Sequence, residues 1–446
     1  MTLALTALIT STIAQSALVP APAQTRTIVI EHAVIHTAIA AAEPLRDGFV
    51  IIEQGKIVAM GTGTPVGAHG EVPSADVLRI DASGMHVTPG FISPSTTLGL
   101  VETLQVRATD DRAEFGAFHP EVASWLAVNP DSNLLPVARM GGVLMALVMP
   151  QGGTVSGEAS LMRLDGWTND ELAVVKDVGT VLRWPATEPA PRWFTSKSAD
   201  EQEKARRSAL RAIDDFFDAA KSYARAIAAD PTLPRDLRFE RLGDVLDGTK
   251  PLLIEAASAG QIESAILWAT TRGMRPIIVG GDGAPAVADL LVTHKVPVVV
   301  QGVLRLPRFA HDEYDSAYTL PARLASKGIE VAIATGDEPS NDRNLVHHAA
   351  TAVAFGLPRE EAIAAISRVP AHLAGVDALY GTIATGRSGT LLVHDGDPLE
   401  VTTHVVHAWI DGRAIDLRSH QTDLKGKYEQ KYAVPAQLPA QQPAPR

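Results

Sequence analysis

Between Val143 and Ala334 the chain repeats one unit, a short apolar run followed by a segment with helical spacing. Val143 to Met149 is apolar throughout, as a parallel strand buried on both faces requires. Residues 201–227 carry Leu210, Ile213, Phe217, Ala220 and Ala224 at helical intervals, which predicts one long helix. Strands are then expected over Leu252–Glu255, Arg275–Val279, Val296–Val300 and Ile329–Ala334. Helices are expected between them over 260–271, 284–293 and 320–327, and after them over 343–355 and 358–367. Such alternation specifies a parallel sheet clothed in helices, either a closed α/β barrel or a doubly wound sheet.

Both ends of the chain read as β-structure. Thr27–Glu31, Gly48–Ile52 and Ile57–Met60 alternate as strands, and Gly55 supplies the positive φ of a tight hairpin. Val77–Ile80 follows, and near the other end Gly389–His394 and Val401–Ile410 lead into a turn at Asp411-Gly412. Two β segments flanking an α/β centre predict a small sandwich assembled from residues 26–88 and 381–420, around a barrel over 89–380. Residues 421–446 form an extension, rich in Pro, Ala and Gln after Val434 and expected to be disordered from about there.

A net charge of −12 argues against a nucleic-acid partner, because phosphate binding needs a basic face. The absence of cysteine removes disulfides, thiolate zinc sites and thiol nucleophiles together. Leu3–Val19 is apolar and ends before Ala21-Pro22-Ala23, a signal-peptidase pattern, so residues 1–25 read as a signal peptide and the protein as exported to the periplasm. No Lys or Arg precedes that run, which leaves a disordered tail on a cytoplasmic protein as the other reading. The run is too short, and too broken by Pro20 and Pro22, to span a membrane.

The segment with most chemical content is Gly84-Met-His-Val-Thr-Pro-Gly-Phe-Ile92, running into Ser93-Pro-Ser-Thr-Thr-Leu-Gly99. Val87–Ile92 and Gly99 resemble the amidohydrolase-superfamily motif V-x-P-G-F-I-D-x-H-x-H-x-G, in particular its imidazolonepropionase-like branch. Gly55-Lys56-Ile57-Val58, Gly381–Gly386, Asp397-Pro398-Leu399 and Trp409–Gly412 are similar to the split sandwich of that family. Val128–Ser132 and Met149–Gly153 resemble exported members. The resemblance implies a (β/α)8 barrel with a metal-assisted hydrolytic site for a non-peptide, cyclic amide-like C–N bond at the C-terminal ends of its strands.

Position by position, the resemblance also implies that most of this metal site has been replaced. The family's two His positions fall on Ser95 and Thr97, and its Asp on Ser93. A later His falls on Glu255 and another near Val279-Gly280, while Asp337 matches the family's aspartate. No bridging lysine can be placed. Asp337 reads either as a residual base and metal ligand or as a loop acceptor at a helix start. Glu255 reads as a substitute ligand or as the partner of an arginine. Two carboxylates suit a hard divalent cation better than zinc, so a divalent metal is expected only if this residual site works.

The histidines read as structural. His32 and His36 are expected on one strand face about 13 Å apart, and His347 and His348 diverge by about 100° on a helix. Gln151–Gly157 reads as a glycine-permitted turn, and Ser156 lacks the setting of a hydrolase nucleophile. Two functions follow from the resemblance. One is a C–N hydrolase with Asp337 as proton shuttle. The other is a non-catalytic, metal-free relative holding a small molecule or another amidohydrolase-like subunit, as a homo- or hetero-oligomer.

Overall fold

The structure, a computed structural model, describes residues 19–67, 70–71, 76–191, 194–308, 312–336 and 338–433. The N-terminal part of the chain forms β1 (Thr27–Ile35), β2 (Leu45–Glu53), β3 (Lys56–Thr62), β4 (Val77–Asp81) and β5 (His86–Pro89). One residue, Gly90, separates β5 from the first barrel strand. A Cβ there would collide with Leu144 and Thr390, so the chain passes from one sheet to the next through a gap only glycine fits.

The barrel strands are β6 (Phe91–Thr96), β7 (Val143–Val148), β8 (Val155–Arg163), β9 (Ala173–Arg183), β10 (Pro251–Ala256), β11 (Arg275–Gly280), β12 (Val298–Gln301) and β13 (Val331–Ala334). The C-terminal part adds β14 (Leu391–His394), β15 (Val405–Ile410) and β16 (Arg413–Ala414). These last strands join the first five in one sheet of order β16-β15-β14-β5-β1-β2-β3, with β4 beside β1. The two ends of the chain thus build one layer, and they meet there. Gln24 packs against Gly412, and Arg413 Nη1 donates to the Ala21 carbonyl at 3.2 Å.

Strands β6 to β13 form a second eight-stranded sheet that curls into a nearly closed barrel. Ile92, Leu147, Leu161, Leu253, Val279, Val299 and Ala332 pack inside it, while Leu252, Ile254, Ile278, Val298, Val300 and Ile333 face the helices. This in-out alternation is why the apolar runs are continuous in sequence. Two features depart from a regular (β/α)8 repeat. Strand β8 is antiparallel to both β7 and β9, so seven strands run one way and one runs against them. The ladder also stays open between β6 and β13, which are not paired.

The hairpin β8–β9 was not foreseeable as a strand pair. Every residue of β8 except Arg163 is buried, with Ser156, Glu158 and Ser160 alternating along it as a strand's one face does, but Gly157 and the preceding Gly-Gly made the segment read as a turn. The turn expected over Gln151–Gly157 accordingly ends early, with Val155 already in β8.

The helices needed here are α1 (Leu134–Met140), α2 (Ala199–Ala229), α3 (Ala259–Thr271), α4 (Ala288–His294), α5 (Ser316–Ala325), α6 (Leu345–Ala354), α7 (Arg359–Ala365) and α8 (His420–Ala433). Capping boxes Ser198/Glu201 and Ser258/Gln261 start α2 and α3 and satisfy their first free N–H groups. Ile213, Phe217 and Ala220 of α2 are buried, while Leu210 is half-buried and Ala224 exposed, so the stripe is shorter than the spacing predicts. Helix α5 begins four residues earlier than its periodicity suggested and holds Pro321 inside.

Strand β1 is bulged between Ile30 and Ala33, where His32 adopts φ 64°. The expected common face of His32 and His36 is therefore broken: an inserted residue turns the following side chains over.

Candidate functional site

The C-terminal strand ends form the mouth of the barrel, where catalytic groups of such folds are carried. Ser95 stands there at the end of β6. Its Oγ accepts a hydrogen bond from Gln301 Nε2 at 2.7 Å. Gln301 is the last residue of β12, and it follows inward-facing Val299 by two positions, so its side chain also points inward. Thr97 Oγ1 and Gln301 Oε1 are buried without a hydrogen-bond partner.

Ser93 faces the other way. Its Oγ donates to Asp342 Oδ1 at 3.3 Å, and Thr335 Oγ1, just past β13, donates to the same oxygen at 2.7 Å. Asp342 is wholly buried, and burial pushes its carboxyl up to about 6, against the lowering effect of hydrogen bonds from Thr96, Thr335 and Ser93. Ser93 and Thr335 thereby fasten β6 to the end of β13 across the seam that no backbone ladder closes. Gln301 and Ser95 add a second fastening.

Glu255, at the end of β10, is paired with Arg183 of β9, Nε to Oε2 at 2.8 Å. Gly280 has φ 118° and ends β11 with no side chain to offer. Asp337 lies outside the described residues. The structure thus brings Ser95 together with Gln301 and Ser93 with Asp342, but it does not bring Glu255 to either. Among the described residues, no group of three or more His, Asp or Glu side chains could hold a metal ion. Hydroxyls and a carboxamide are weak ligands beside imidazole, and the Glu255 carboxylate is already matched by a guanidinium. Among the described residues, this donor set does not fit a catalytic divalent metal.

Sequence reasoning missed Gln301 and Asp342, and it read His348 as a structural residue on a helix without its partner. The signal for Gln301 was its place as the first polar residue after the run Val296–Val300. His348 on α6 is buried, and burial pushes it down to about 4, so it is neutral. Its Nδ1 accepts from the amides of Val303 at 2.9 Å and Leu304 at 3.4 Å, fixing the loop that leaves β12 over the mouth. That loop is also held by ion pairs from Arg305 and Arg308 to Asp282 of the neighbouring strand–helix loop.

Comparisons with known proteins agree with this architecture. No family model matches the chain. It is 25% identical over 401 residues to amidohydrolase tasK of Hapsidospora irregularis, a match covering 82% of this chain and 40% of that relative. The chain therefore spans well under half the length of the curated relative it matches. Its fold is similar to that of an amidohydrolase from Thermotoga maritima MSB8, with TM-score 0.76, 22% identity and coverage of 88% of this chain and all of that one. Molinate hydrolase is a more distant likeness, with TM-score 0.55, 16% identity and coverage of 90% and 96%. The chain is thus similar in sequence to an amidohydrolase and shares the fold of solved amidohydrolases.

Proposed function

We propose that the chain is an amidohydrolase-superfamily barrel that holds a small amide-bearing molecule at its mouth without metal-assisted hydrolysis. The observation that carries this reading is the Ser95–Gln301 hydrogen bond. It joins β6 to β12 directly at a position where the family resemblance expects a metal-binding imidazole. Support for the ligand class comes from the two partnerless atoms beside it. Gln301 Oε1 accepts only, and the Thr97 hydroxyl donates or accepts. An amide or urea group, which carries both N–H and C=O, would complement them.

The test is metal analysis of purified protein, combined with hydrolysis assays on cyclic amides, N-acyl amino acids and ureas with added Zn²⁺ or Mn²⁺. Substoichiometric metal and no turnover are expected, together with calorimetric binding of an amide that Thr97→Val weakens. Stoichiometric metal, lost together with hydrolysis in Asp337→Ala, would return the chain to the second reading, a C–N hydrolase with Asp337 as proton acceptor.

We also propose that the protein is exported. Support comes from the apolar N-terminal run and the Ala21-Pro22-Ala23 pattern. No helix among the described residues is long and apolar enough to cross a membrane. N-terminal sequencing of the protein from fractionated cells tests this, and an intact Met1 in the cytoplasmic fraction would refute it.

A further inference from the structure

A second cluster of titratable side chains lies away from the mouth, where the terminal sheet meets the barrel helices. His36, just past β1, is 3% exposed. Its Nδ1 lies 2.8 Å from Glu360 Oε1 on α7, and its Nε2 lies 2.9 Å from His86 Nδ1 on β5. The two rings stack with centroids 5.2 Å apart.

The chain of bonds fixes the protons. A carboxylate only accepts, so His36 Nδ1 carries hydrogen, and in the neutral ring its Nε2 is bare. His86 Nδ1 must then donate, which leaves His86 Nε2 as a bare acceptor. This is the carboxylate–imidazole arrangement that orients a base, extended by one ring.

His86 borders a cleft of about 720 Å³ that His36, Arg46 and Arg359 also line. Arg359 is paired with Asp397 there, and Arg368 lies near Glu361 at 3.6 Å. Arg46 is exposed, and no ion pair among the described residues engages it. The loop over the cleft holds Ala38 at φ 56° and Ala41 at φ 57°, a left-handed backbone that alanine rarely adopts. Strain kept in two non-glycine residues marks the loop as shaped for more than connection.

We infer that this cleft is a separate ligand site for a phosphate group, whose P–O–H donates to His86 Nε2 while its charge meets Arg46. A bare imidazole beside a guanidinium asks for a ligand carrying a proton donor and a negative charge on one group. A phosphate or phosphomonoester has both near neutral pH, because its second ionisation lies near 6. When the proton passes to His86, phosphate becomes the dianion and the imidazolium forms. That imidazolium donates through Nδ1 to His36, whose Nδ1–H remains on Glu360, so the relay carries its compensation to a carboxylate. Of the groups facing His86, a charge on His36, Arg359 and Arg46 opposes its protonation, and Asp397 favours it. Burial lowers His86 from its ordinary value and keeps it neutral until the ligand arrives. His394, buried on the adjacent strand, is held lower still, at about 3, and stays uncharged.

Titrating the full-length protein with inorganic phosphate, and with sulfate as a tetrahedral anion lacking O–H near neutral pH, tests the site. Calorimetry in buffers of different ionisation enthalpy reads proton movement, and NMR reads the His86 ring. Phosphate is expected to bind at least about tenfold tighter than sulfate, to shift the His86 resonances and to raise the His86 pKa. Arg46→Ala, at an exposed position, should weaken phosphate about tenfold without changing the unfolding midpoint. Glu360→Gln should remove the rise in the His86 pKa while the fold persists. Equal affinity for sulfate and phosphate, or His86 resonances unmoved by phosphate in a folded wild-type chain, would overturn the inference.

Discussion

At the scale of single residues, Asp342 sits in an environment costly to its charge. Its carboxyl sits at about 6 when folded, above the ordinary 3.8, because it is buried with Oδ2 unpartnered. The native chain therefore binds this proton more tightly than the unfolded chain does. The resulting stability is complete below the unfolded value and is lost as pH rises through about 6, amounting to ~3 kcal/mol. Asp342→Asn keeps the acceptor for Ser93 and Thr335 without the charge. Chemical denaturation should show the variant more stable than wild type at pH 7 by about 1–3 kcal/mol, and level with it near pH 4.

His348 acts oppositely, as a neutral acceptor for two loop amides. In His348→Ala those amides lose their partner, at a cost of about 1–3 kcal/mol. Proteolysis should then cut first within 302–308, at a rate the wild-type chain does not show.

At the scale of elements, the seam explains why Ser93 and Ser95 are where they are. A barrel whose first and last strands do not pair needs another closure, and two side-chain fastenings supply it. Much of this scale was legible in the sequence. Parallel strands buried on both faces read as unbroken apolar runs, and the stripe on α2 fixed its inner face. The fastenings were not legible, because Gln301 and Ser95 lie 206 residues apart, and Asp342 and Ser93 lie 249 apart. Local pattern carries no information about such contacts. The fold resemblance found the strand end at Ser95, yet it could not say what would fill the place of a ligand.

A second closure joins the N-terminal segment to the barrel. Asp165 is 4% exposed and accepts from Arg139 at 2.6 Å, Arg413 at 3.0 Å and the Ala21 amide at 3.0 Å. Arg139 is itself 5% exposed, so Asp165→Ala leaves a buried guanidinium without its counter-charge. A loss of about 3–5 kcal/mol is expected in denaturant titrations. Under the proposed cleavage after Ala23 the mature chain, starting at Gln24, keeps the ion pairs and lacks the Ala21 contacts, so it should be less stable than the uncleaved chain by about 0.5–1.5 kcal/mol. Equal losses for the two variants would show that the charge pairs contribute nothing beyond the backbone contact.

At the scale of the whole molecule, the terminal sheet and the barrel share one continuous strand path through Gly90, and the relay of Glu360, His36 and His86 bridges the same junction. Gly90→Ala should disturb both layers at once, lowering the cooperativity of unfolding as well as its midpoint. Scanning calorimetry reads this as a broadened or divided transition. The contact between Gln24 and Gly412 has a wider consequence. The segment from Gln24 to Gly412 opens and closes at one place, and such a segment can be spliced into a longer polypeptide through one narrow gap.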